Sequence, residues 1–353
     1  MADTTDILFE RRGAAGLITL NRPQALNALT RDMALRLHAQ LDAWADDHAV
    51  TRVAITAAGE RAFCAGGDIR ALYDLGKDGR HNEALEFWRA EYPLNVAIKN
   101  FRKPYVALID GMVMGGGVGV SVHGSHRVAG DRFQFAMPEV GIGFFPDVGA
   151  TWFLPRMPGE LGTYCALTGE RFGMADACAA GLVTHRVPSA RFAALLDGLS
   201  GTVSVDAVLA AFTEPAGAGP IMAWRPAIDR LFVGSQVEDI LAALEHEATS
   251  GGAHAEWAGK TAATMRTKSP LSLKLALAQV RRGKTWDFET CMRAEFRIVS
   301  RLIHGHDFYE GVRAVIVDKD NKPRWQPATL AEVSAAEVER HFASLGADEL
   351  VLP

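Results

Sequence analysis

The run from Gly111 to Gly119, Gly-Met-Val-Met-Gly-Gly-Gly-Val-Gly, carries the first chemical signal in this sequence. It follows the apolar stretch Tyr105–Ile109 and leads into a second apolar run, Val118–Val122, with helical character. Consecutive glycines between a buried strand and a helix let the backbone approach another molecule closely. They also leave amide N–H groups unshielded at a helix start, where partial positive charge collects. The segment Phe63-Cys64-Ala65-Gly66-Gly67-Asp68 offers a second place of this kind. Two bare amides from two loops suit a carbonyl oxygen that gains negative charge during a reaction.

Acids supply the second signal. The segment Met137–Gly149 holds two carboxylates, Glu139 and Asp147, among Ile142, Phe144, Phe145, prolines and glycines. Carboxylates in such surroundings are partly desolvated, which raises their pKa and eases proton exchange near neutrality. Plainer roles compete: Glu139 capping a backbone amide, and Asp147 as N-cap of a helix starting near Val148. A third acid, Glu91, lies in Phe87–Asn95; on a charged helix it reads by itself as solvated.

Other reactive types lack companions. Gly119-Val-Ser121-Val-His123 misses the last glycine of a nucleophile elbow, so Ser121 reads as a packed helix residue. Val120 stands where a G-x-G-x-x-G nucleotide loop needs glycine. The pairs His123/His126 and His304/His306 come without further ligands, so no metal is expected. Cys64 has no histidine neighbour in sequence and reads as a small buried cysteine. Cys64, Cys165, Cys178 and Cys291 form no CxxC pair, and no disulfide framework or zinc ribbon is expected.

The elements that must hold these groups follow an α/β pattern. Strands are expected within residues 6–20, at 53–56, 105–109, 126–129 and 133–135, and helices at 31–46 and from Glu83 to Phe101. Reactive loops then fall at strand ends. From residue 191 helices dominate, with helical spacing over 236–247 and 270–281 and a linker at Thr213–Pro220. The 353 residues are 48% hydrophobic and 22% charged, enough for a sizeable core. A net charge of -5 without a basic stripe argues against nucleic acid, and no apolar run is long enough to span a membrane. The acidic, polar start Met1–Asp6 lacks the marks of a signal or transit peptide, and a cytoplasmic location is expected.

Taken together, several segments resemble the crotonase, or enoyl-CoA hydratase/isomerase, superfamily, and within it the 3-hydroxyisobutyryl-CoA hydrolase branch. They include Asn21–Leu29, Phe63–Ile69, Glu91-Tyr92, Lys103–Ala107, Gly111–Gly119, Ser121–Gly124, Arg127–Ala129, Phe135–Glu139 and Phe145–Gly149, then Lys268–Ser272, Glu295–Arg297 and Glu310–Ala314. The resemblance implies a crotonase-like spiral of ββα units over 1–205, holding an acyl-CoA site. A helical C-terminal region, 206–353, would cover it and support a homo-oligomer, a trimer or hexamer. It puts the oxyanion-hole amides at Gly67 and Gly116 and the CoA near Ala25, Ala65 and Ile69. It maps the functional acids to Glu91, Glu139 and Asp147, with Glu139 and Asp147 catalytic and Glu91 binding the substrate hydroxyl.

The implied reaction is hydrolysis of a 3-hydroxyacyl-CoA thioester, with 3-hydroxyisobutyryl-CoA of valine catabolism as the expected substrate and no cofactor beyond the CoA of the substrate. Hydratases of the superfamily carry a glutamate where this chain has Gly119, which counts against simple hydration. Isomerisation of an enoyl- or dienoyl-CoA, hydration of an enoyl-CoA, and non-catalytic acyl-CoA binding are the alternatives. Lys268, Lys274, Arg281 and Arg282 read as a solvated helix face rather than as contacts to CoA phosphates.

Overall fold

The computed structural model describes residues 5–353. The chain opens with an antiparallel hairpin, β1 (Ile7–Arg12) and β2 (Ala15–Leu20). Three strand pairs follow: β3 (Arg52–Ala57) with β4 (Ala62–Cys64), β5 (Tyr105–Ile109) with β6 (Met112–Met114), and β7 (His126–Ala129) with β8 (Gln134–Ala136). In each pair the first strand joins one sheet and the second joins another. Two short strands, β9 (Phe172–Gly173) and β10 (His185–Arg186), complete the sheets, whose orders are β1-β2-β3-β5-β7-β10 and β4-β6-β8-β9. Each turn of this spiral thus adds one parallel strand to both sheets.

The larger sheet is covered on both faces, which explains the unbroken apolar run of β5. Tyr105, Ala107 and Ile109 face the main core, while Val106 and Leu108 face a smaller one with Leu17, Ala54, Val128 and Leu195. On the main side lie α1 (Arg31–Asp46), which buries Leu37, Leu41 and Trp44, then α2 (Ile69–Lys77) and α3 (His81–Lys99). Thr30 caps α1 by accepting from Met33 N–H, and Asp68 caps α2 by accepting from Ala71 N–H. The main core continues through the C-terminal helices as far as Leu350. Helices Val237–Thr249 and Pro270–Gly283 stand where expected, and the linker region is irregular up to Pro220.

Two expectations need correction. The helix after the glycines is one turn, α4 (Gly116–Gly119), rather than a run to Val122. Glycines propagate a helix poorly, and Ser121 Oγ donates to Gly117 C=O at 2.7 Å, so the turn closes on itself. No helix starts at Val148; it starts at Ala150, with Gly149 as N-cap and no side-chain cap. The reason lies in what holds the Asp147 carboxyl.

Candidate active site

Neighbouring parallel strands β4, β6 and β8 run side by side and end together. The segments that leave their C-terminal ends are Ala65–Gly67, Gly115-Gly116 and Pro138-Glu139, and all three open on one cavity of about 350 Å³. Sites outside the carboxyl ends of parallel strands are the rule in α/β proteins. The two glycine loops touch: a Cβ added to Gly116 would lie 3.3 Å from the Gly67 nitrogen. Among the described residues neither the Gly67 nor the Gly116 N–H meets an acceptor. Gly66 C=O and Leu29 take up the loop's other bonds, and Gly116 stands at the first, unpaired position of α4.

The three expected acids converge on the same cavity. Glu91 comes from α3, Glu139 from the short turn Glu139–Ile142, and Asp147 from the loop beyond it. Glu91 is only 1% exposed, which corrects the solvated reading. Phe87, Trp88, Leu94 and Asn95, one turn away on either side, are buried with it, so the residue sits on the inner stripe of the helix. Glu91 Oε1 and Glu139 Oε2 are buried without a hydrogen-bond partner among the described residues. Unpaired buried acceptors of this kind are costly and commonly mark a place made for a ligand.

Asp147 is not an N-cap. Its Oδ2 accepts from the Tyr92 hydroxyl at 2.9 Å. Burial pushes its pKa up to about 7, against the pull of the Tyr92 and Trp88 donors. Burial also lifts Glu139 well above the usual carboxylate range, and the Asp147 charge adds to it. Glu91 rises for the same reason, with Asp147 and Glu295 as further repulsive neighbours. Of the three, Asp147 is placed to exchange a proton near neutral pH.

Gly119 lies behind the site, and the space in front of it is taken. A Cβ there would meet Asn95 Nδ2 at 2.7 Å and Val148 Cβ at 2.8 Å. A second glutamate therefore has no room at this position. Gly119→Glu should lower the melting temperature, at a cost of about 1–3 kcal/mol or more for overpacking. No addition of water to crotonyl-CoA should appear. Thermal melts and absorbance of the enoyl thioester check both halves of this prediction.

The remaining expected residues divide. Ala65 and Ile69 line the cavity. Ala25 does not; it ends the short turn Pro23–Ala25, and the next residue, Leu26, accepts from Ala65 N–H at 3.0 Å. Lys268 corrects the solvated-face reading: it is half-buried in the cavity wall and is the one cation there among the described residues. The others are tied elsewhere. Lys274 pairs with Glu238, Arg281 with Glu160, and Arg282 with Glu339. Cys64 is fully buried with its thiol pushed up to about 12, which removes it as a nucleophile. His123 is buried and bonded to Val148 C=O, His126 contacts Asp206, and His304 packs on His81. Among the described residues no cluster could hold a metal ion.

Two contributors stood in the resembling segments without a role assigned to them: Tyr92, which bonds Asp147, and Glu295, which is fully buried and pushed up to about 8 by burial and by Asp147. A signal for Glu295 exists. Cys291, Met292, Ile298 and Val299 flank it at helical spacing on the buried face of Phe288–Leu302.

The sequence pattern of the enoyl-CoA hydratase/isomerase family matches residues 15–342. The chain belongs to this family. Among family relatives, the mitochondrial 3-hydroxyisobutyryl-CoA hydrolase of Danio rerio is 44% identical, over 99% of this chain and 92% of the relative. The Homo sapiens protein of the same name is 40% identical, over 98% and 90%. Solved family structures superpose closely. A carnitinyl-CoA dehydratase from Mycobacterium thermoresistibile gives a TM-score of 0.92 at 43% identity, covering 99% of both chains. An enoyl-CoA hydratase from Rhodobacter sphaeroides gives 0.91 at 39%, covering 99% of this chain and 100% of that one. The fold is therefore the crotonase fold.

The hydrolase relatives overturn the cytoplasmic expectation, since they are named as mitochondrial proteins. A compartment address is read by receptors from a short segment and leaves no mark on the folded body. The polar residues Met1–Asp6 are no guide to it.

Proposed function

We propose that this chain hydrolyses a 3-hydroxyacyl-CoA thioester, with 3-hydroxyisobutyryl-CoA as substrate. The observation that carries the reading is the meeting of two unpaired N–H groups, Gly67 and Gly116, with three buried carboxyls in one cavity. The full-length likeness to hydrolases of that thioester supports it. Such a substrate places the enzyme in valine breakdown.

In this reading the thioester oxygen accepts from both amides, which stabilise the negative charge of the tetrahedral state. Glu139 either attacks the carbonyl carbon, giving an acyl anhydride, or takes a proton from the water that attacks. Both routes break the C–S bond, and the leaving thiolate takes a proton from Asp147, which holds one near neutrality. On the anhydride route, water then releases the hydroxy acid and regenerates Glu139. The unpaired Glu91 Oε1 accepts from the substrate hydroxyl. A substrate without that hydroxyl leaves this buried oxygen unpaired and is rejected.

The names of the two solved relatives favour a second reading, water addition to an enoyl-CoA. A panel of thioesters scored for free thiol separates the two. Thiol should appear rapidly from 3-hydroxyisobutyryl-CoA, at least on the order of 10²-fold more slowly from isobutyryl-CoA, and not from crotonyl-CoA. Turnover of crotonyl-CoA by hydration, with no thiol from the first substrate, would overturn the proposal.

A further inference from the structure

Asp147 stands on a backbone held in a costly shape. Val148 has φ +53°, a left-handed conformation that a β-branched residue rarely adopts, and Gly149 follows at +88°. Such a loop persists only where its surroundings fix it. Three buried side chains do so here. Gln279 Nε2 donates to Pro146 C=O, and His123 Nε2 bonds to Val148 C=O at 2.7 Å. Glu295 makes the double contact: Oε2 accepts from Gly149 N–H at 2.8 Å and Oε1 from Thr151 N–H at 2.9 Å. Both carboxyl oxygens are thus engaged by N–H groups of the backbone just beyond Asp147, at Gly149 and Thr151.

We propose that Glu295 is the positioning residue of this site, a buried carboxyl that clamps the Gly149 and Thr151 amides and so fixes where the Asp147 carboxyl stands. The proposal rests on the thioesterase reading above, because Asp147 is there the acid for the leaving thiolate. A carboxyl group can accept on both of its oxygens at once, whereas a carboxamide has a single acceptor oxygen. Glutamine in its place sets an NH₂ donor against one of the two amides, whichever way it turns.

Other ionisable groups surround Glu295. Asp147 on the loop, and Glu91 and Tyr92 on α3, interact with it electrostatically, as does Cys291 one turn back on its own helix. His123, on the far side of the loop, is held neutral by burial, at about 3. No Lys or Arg pairs with Glu295 among the described residues. Glu295, at about 8, holds its proton to higher pH than Asp147, at about 7, so the hydrogen-bonded clamp and not a Glu295 charge sets Asp147 in place.

The experiment is Glu295→Gln, followed by thiol release from 3-hydroxyisobutyryl-CoA across pH, with folded content checked by circular dichroism. The expected result is a kcat down about 10²-fold, the scale of a misplaced catalytic group, with KM within about threefold. Glu295→Asp keeps two acceptor oxygens at shorter reach, so its kcat should also fall while KM stays within about threefold. A folded Glu295→Gln enzyme with wild-type kcat overturns the inference, as does a loss that only tracks folded content. Should Glu295→Gln not fold, Glu295→Asp decides: lowered kcat at full folded content supports the clamp, and wild-type kinetics refute it. Failure of the thioesterase reading itself looks different, because the wild-type enzyme would then release no thiol.

Discussion

Glu139→Gln should abolish thiol release from 3-hydroxyisobutyryl-CoA, with kcat down about 10³-fold or more. The substitution keeps size and removes the group that either attacks or deprotonates water. Glu139 is 6% exposed, and its Oε2 has no hydrogen-bond partner among the described residues, so it stands free to act on the substrate. The same change should help the fold at high pH. Burial holds the folded pKa of Glu139 well above its unfolded value of about 4.3. Its contribution to stability is complete below the unfolded value and is lost as pH rises toward and through the folded one. Gln has no proton to lose and escapes that loss. The difference in melting temperature, variant minus wild type, should therefore grow as pH rises above the unfolded value of about 4.3. A variant that keeps most of its thioesterase activity refutes the role of Glu139, and melts taken alongside show that any loss is chemical rather than structural.

That Glu139 belongs in an apolar pocket was legible from its neighbours, since Ile142, Phe144 and Phe145 leave little water for it. The glycine loops were legible for a similar local reason: only a bare backbone needs three glycines between a strand and a helix. Strand β5 and helix α1 follow from apolar runs and periodicity alone. What escaped depends on distant partners. Asp147 after proline reads as a helix cap until Tyr92, 55 residues earlier, takes its carboxylate. Glu91 reads as solvated because a polar side chain on a helix is usually outside, although its apolar neighbours mark the inner face. The division of each strand pair between two sheets is a property of the spiral and leaves no periodicity of its own. Residues 114–116 and 138-139 meet because β6 and β8 are neighbours, a pairing that no local pattern encodes.

Gly116→Ala should cost about 10²–10³ in kcat/KM while the protein still folds, and it tests a different part of the site. The added Cβ would lie 2.4 Å from Glu91 Oε1 and 3.3 Å from the Gly67 nitrogen. The first neighbour is the tip of a side chain, which can turn aside, so the fold survives. What is lost is the open space beside both amides, and with it the fit of the thioester oxygen. Displacing Glu91 adds a second signature: the preference for 3-hydroxyisobutyryl-CoA over isobutyryl-CoA should shrink, because the acceptor for the hydroxyl has moved. The next residue supplies the contrast. At Gly117 a Cβ would lie 2.3 Å from the Cys64 carbonyl oxygen, a backbone atom of β4 that cannot turn aside. Gly117→Ala should therefore reduce folded yield and melting temperature, where Gly116→Ala reduces turnover and selectivity. Thioester kinetics and melts on the pair separate a glycine kept for chemistry from one kept for packing. Equal kinetics for Gly116→Ala and wild type would remove the two-amide grip from the mechanism.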